Sequence, residues 1–89
     1  MRLSKEKRDR ISEQILSLLY DSFPKQWFGA EISKELARDE EFIKTLLLNL
    51  MDKGLLITIK KNSKGVLFIR RAKWQLSPKA FIAYKSRSN

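Results

Sequence analysis

The sequence has no cysteine and no histidine. Without cysteine there are no disulfides, thiolate metal ligands or thiol nucleophiles. Without histidine the usual general base is missing, along with the commonest zinc ligand and any Ser-His-Asp triad. No apolar run approaches the roughly 18 residues that a membrane helix needs. The N-terminal stretch MRLSKEKRDR has no signal-peptide core. Asp39, Glu40 and Glu41 form a carboxylate run, but adjacent residues on a helix do not share a face, so it predicts no metal site. These absences predict a cytoplasmic binding protein. No cofactor, metal or small-molecule ligand is expected, and the chain does not read as an enzyme.

Acidic residues are missing from one part of the chain. Residues 1–52 hold nine cations and all ten acids, whereas residues 53–89 hold ten cations and no acid. The whole net charge of +9 therefore belongs to the C-terminal part. Solubility alone would mix the signs. A one-signed half is what a surface meeting phosphates requires. The competing account is a solvated basic hairpin whose lysines block edge-to-edge strand pairing.

The 89 residues, 43% hydrophobic and 33% charged, are enough for one domain with one core, over 1–89. A helix is predicted over 4–21, with Ser4 as N-cap and Ile11, Ile15, Leu18 and Leu19 as its apolar stripe. Leu16 falls off that stripe. Its first turns, Lys5 to Arg10, read as a solvated face of mixed charge, with Arg2 and Lys5 as secondary phosphate contacts. Pro24 ends the element. Trp27 and Phe28 suit a short extended segment, with Gly29 as a turn. A second helix is expected over 30–38, burying Ile32 and Leu36, with Ala37 allowing close approach. Asp39 caps a third helix over 40–53, and Gly54 closes it. Its core stripe is Ile43, Leu47 and Leu50, with Leu46 beside it.

Beyond Gly54 the periodicity becomes that of strands, at 55–61 and 66–76. Asn-Ser-Lys-Gly at 62–65 reads as the turn between them. That turn sets Ile59 opposite Phe68 and Ile57 opposite Arg70. Trp27 and Phe28 are placed to add a third strand. Ser77 and Pro78 open a last short helix, as N-cap and first residue, with Ala80, Phe81 and Tyr84 packing back. Residues 84–89 read as a flexible tail.

The order of elements resembles a winged helix-turn-helix domain. The residues that carry the resemblance are FGAEISKEL at 28–36, LLNLMDKGLL at 47–56 and WQLSPKA at 74–80. They are similar to stretches of PadR-like and MarR-like transcriptional regulators. The resemblance implies an α+β fold: a three-helix core, a β-hairpin wing of two to three strands and a short C-terminal helix. It also implies double-stranded DNA as partner and a role in transcription regulation. The third helix would then be the recognition helix.

Placed at 100° steps, the outward face of that helix carries Glu41, Lys44, Thr45, Leu48, Asn49 and Asp52. Lys44, Thr45 and Asn49 are the residues there able to reach phosphates or base edges. The acids at 39–41 cap the helix and also repel phosphates. The wing offers more: Lys60, Lys61, Asn62, Ser63 and Lys64 at its tip, and Arg70, Arg71 and Lys73 along its second strand. A lysine-rich tip favours backbone contact over base readout. Trp27, Trp74, Phe81 and Tyr84 read as core rather than base-stacking platforms. Excess apolar residues at Val66–Ile69, Phe42, Leu48 and Met51 suggest a contact surface. A homodimer is the expected assembly, paired through the first helix, through Phe81, Ile82 and Tyr84 of the last, or through the apolar strand. A second reading of the whole chain is a winged-helix module for protein assembly, without direct DNA readout.

Overall fold

A computed structural model describes residues 5–59 and 72–87. The chain runs α1 (Lys5–Asp21), β1 (Trp27–Phe28), α2 (Gly29–Glu35), α3 (Glu40–Asp52), β2 (Leu56–Ile59), β3 (Lys73–Leu76) and α4 (Pro78–Arg87). This is the α+β order expected from the sequence. Ser4 and the 62–65 turn lie outside the described residues, as does the apolar run Val66–Ile69.

The core joins all three layers of the molecule. Ile15 and Leu19 of α1 meet Ile32 of α2, Ile43, Leu46 and Leu47 of α3, and Leu56 and Leu76 of the sheet, all fully buried. Two details of α1 differ from expectation. Leu16 is buried, and Leu18 only flanks the core. The helix packs on both α3 and β3, so its covered stripe is turned toward the Leu16 side. Ser22 then ties the end of α1 to the sheet. Its Oγ donates to the Leu18 carbonyl at 2.7 Å and accepts from the Trp27 indole N–H at 2.8 Å.

The second helix also departs from its predicted bounds. Gly29 is its first residue rather than a turn, and it ends at Glu35. The side chain of Glu31 reaches back to accept from the Phe28 N–H at 2.9 Å, securing the first turn. Ala37 does not sit at a close helix approach: it is exposed, at φ 55° in the turn before α3. Ser33 is buried in its stead, its hydroxyl donating to the Ala30 carbonyl. At α3 both ends agree with the sequence. Asp39 accepts from the Phe42 N–H at 3.0 Å, and Gly54 leaves the helix at φ 80°.

The sheet is antiparallel, in the order β1-β3-β2. Trp27 faces Trp74 across β1 and β3, so the third strand forms as expected. The register between β2 and β3 does not follow the predicted turn. Ile59 faces Lys73 rather than Phe68, and Ile57 faces Gln75 rather than Arg70. The end of the ladder next to α4 helps to hold this register. There the Ser77 N–H donates to the Leu55 carbonyl at 2.9 Å, and the Ser77 Oγ donates to the Gly54 carbonyl at 3.0 Å. Buried Trp74 and Leu76 thereby stand opposite Thr58 and Leu56, over the helices. A slip by one residue would turn both large side chains to solvent.

Ser77 also accepts from the Ala80 N–H at 3.1 Å, so it caps α4 as predicted. That helix continues through Arg87, so residues 84–87 are helical and not a tail. Ala80 is buried. Phe81 stacks on Phe23 at 4.1 Å between ring centroids, and Tyr84 lies 5.0 Å from Tyr20.

Candidate nucleic-acid interface

The outward face of α3 forms because its inward face is saturated with apolar side chains. Ile43, Leu46, Leu47 and Leu50 are buried, so the remaining positions turn out. Glu41, Thr45, Leu48, Asn49 and Asp52 are exposed and Lys44 is half-buried. The Thr45 hydroxyl donates to the Glu41 carbonyl one turn back, at 3.0 Å. Its oxygen keeps acceptor capacity, but its proton is engaged in the helix.

The predicted residues of α3 do not form one patch. Lys44 lines a cleft of about 400 Å³ together with Gly29, Ala30, Asp39, Glu40, Glu41, Leu47, Ala72 and Trp74. Three acidic residues line that cleft with one lysine. Asn49 lies on the opposite flank, in a cleft of about 330 Å³. Its companions are Lys5, Arg8, Asp9, Ser12 and Lys53, over a floor of Leu46 and Leu50. Lys5 was expected from the sequence only as a secondary phosphate contact, and Arg8 and Lys53 were not among the residues singled out for binding. The 100° step puts Lys53 on the same flank as Asn49. No periodicity could show that the first turns of α1 close that flank.

Of the predicted wing residues, Lys73 is described. It sits in the central strand between Phe28 and Ile59, half-buried, with its ammonium 5.2 Å from the centre of the Phe28 ring. This cation–π contact holds the charge beside β1. Lys60, Lys61, Asn62, Ser63, Lys64, Arg70 and Arg71 lie outside the described residues. Trp27 and Trp74 are buried, in the core as expected. Among the described residues no cluster of acids could hold a metal ion, and no helix is long and apolar enough to cross a membrane.

No family model matches the sequence, and no curated protein matches it significantly. Solved structures do match. MepR of S. aureus, in a complex with DNA, superposes with a TM-score of 0.72 at 21% identity, over 93% of this chain and 65% of that one. A ZitR variant of Lactococcus lactis in apo form gives 0.69 at 22% identity, over 93% and 58%. A MepR variant bound to an oligodeoxyribonucleotide gives 0.59 at 23% identity, over 94% and 69%. The chain thus spans less than two thirds of the first two, and part of each has no counterpart here. What the similarity establishes is architecture: the chain has the winged helix-turn-helix fold seen in MarR-like regulators.

Proposed function

We propose that this protein binds duplex DNA through its basic wing and α3 and acts as a transcriptional regulator. It works by binding and not by catalysis. The observation that carries the reading is the one-signed segment: ten cations and no acid over residues 53–89. A polyanion recovers the electrostatic cost of that segment by releasing its own counterions. The MepR structures crystallised with DNA support the choice of polyanion. In this reading Lys60, Lys61, Lys64, Arg70, Arg71 and Lys73 contact phosphates, and Asn62 and Ser63 add hydrogen bonds. Lys44, Thr45 and Asn49 contribute from α3. The wing dominates, because the exposed side of α3 also carries Glu41 and Asp52.

Anisotropy titrations with labelled duplex DNA at several salt concentrations test the reading. Four to six neutralised phosphates give log K against log[salt] a slope of about −4 to −5. Reversing Lys60, Lys61 and Lys64 to Glu weakens binding more than Lys44→Ala with Asn49→Ala. A protein that fails to bind at low salt is not a DNA-binding protein.

The exposed Leu48, at 42%, between acids on the same face, favours the second reading, protein assembly through α3. In that case Leu48→Ala abolishes partner capture and DNA titrations stay flat. Under the DNA reading the protein acts as a homodimer, so that two modules meet two half-sites.

A further inference from the structure

The two flanks of α3 carry opposite charge. On one, three carboxylates outnumber Lys44. On the other, Lys5, Arg8 and Lys53 outnumber Asp9. We infer that the cleft between the first turns of α1 and the C-terminal half of α3 is a phosphate site for the DNA backbone. This inference rests on the DNA-binding reading and assigns α1 a part in it.

The donors suit a phosphodiester. An arginine offers a fork of five N–H groups, each lysine offers three, and Asn49 and Ser12 add an amide and a hydroxyl. They come from two elements and converge on one open cleft. The helix dipole does not account for the cations at the start of α1. Lys5 and Arg8 lie at its N-terminal end, where the helix dipole favours anions, and Glu6 is the one acid of the first turn. Lys53 caps α3 at the end where its charge is favoured, and adds the third cation to the cleft. A duplex lying along α3 brings backbone to both flanks of the helix. Repulsion from Asp39, Glu40 and Glu41 on one flank and attraction on the other displace the DNA toward α1.

The test compares two charge-matched triple variants of the full chain. One is Lys5→Gln, Arg8→Gln and Lys53→Gln. The other is Lys25→Gln, Lys79→Gln and Lys85→Gln, away from the cleft. Both are checked for native circular dichroism, and a cleft variant carrying Arg8→Lys restores part of the charge without risk to packing. With labelled duplex DNA, the cleft variant is expected to lose about 0.9 from the salt slope for each phosphate released, beyond any change in the control. The Arg8→Lys form recovers part of that loss. Equal slopes in the two variants overturn the inference and leave the DNA reading standing. A wild-type chain that binds no duplex overturns both. Chemical shifts of the Asn49 side chain under added inorganic phosphate separate the sources. Saturable phosphate binding, together with unchanged DNA slopes, would make the cleft a free-anion site and overturn its assignment to the backbone.

Discussion

Gly54 and Ala37 both occupy positive φ, at 80° and 55°, and only one of them is glycine. No atom lies within 4 Å of a Cβ built at Gly54, so Gly54→Ala meets backbone strain alone. It is expected to cost about 1 kcal/mol in urea denaturation. Ala37→Gly runs the other way. It relieves the left-handed strain and loses part of the gain to a freer unfolded chain, for a net stabilisation of about 0.5 kcal/mol. Equal signs for the two changes would contradict the backbone geometry. Ser77 is a heavier case, being 6% exposed and bonded both to the Gly54 carbonyl and to the Ala80 N–H. Ser77→Ala removes a helix cap and takes its donor from the Gly54 carbonyl. A loss of about 2 kcal/mol is expected from chemical denaturation.

Among the elements, α3 carries the conflict between stability and binding. Its cap, Asp39, serves the helix through the Phe42 N–H, and its charge opposes phosphates. Asp39→Asn separates the two effects. It keeps the capping oxygen, so thermal stability stays within a few tenths of a kcal/mol, while affinity for duplex DNA rises about fivefold through loss of about 1 kcal/mol of repulsion. Asp39→Ala instead lowers stability by about 1 kcal/mol. In the sheet, Thr58 Oγ1 is buried without a hydrogen-bond partner among the described residues. Thr58→Val keeps the shape and the β-branch and is expected to stabilise β2 by about 1 kcal/mol, read as a higher urea midpoint. A lower midpoint would mean that the hydroxyl has a partner.

Assembly belongs to the whole molecule. Leu16 is buried in the monomer, and Phe81 is held by Phe23 and Tyr20. Neither offers a free surface, and an Asp at Phe81 would damage the fold rather than test pairing. Ile82 is 64% exposed on α4 and is not among the side chains packed against the core. The proposed homodimer therefore predicts twice the monomer mass by light scattering, and half of that for Ile82→Asp with unchanged circular dichroism. A monomeric wild type at high micromolar concentration would leave DNA binding as a single-module event governed by phosphates.

Local chemistry made much of this molecule legible in advance. Asp39 and Ser77 start helices, Gly54 ends one, and the Ile43, Leu46, Leu47 and Leu50 stripe faces inward, because capping and periodicity act over a few residues. The charge asymmetry needed only counting. Other features required the packed fold. The β2–β3 register is held in part by Ser77 bonding back to Leu55 and Gly54, a closure that a local turn rule does not see. The burial of Leu16 follows from α1 being covered by α3 and β3 together. Lys5 and Arg8 share a cleft with Asn49 and Lys53 although they lie more than forty residues away in the chain. Spacing within a helix assigns a residue to a face, but which helix covers that face is decided by the packing of the whole core.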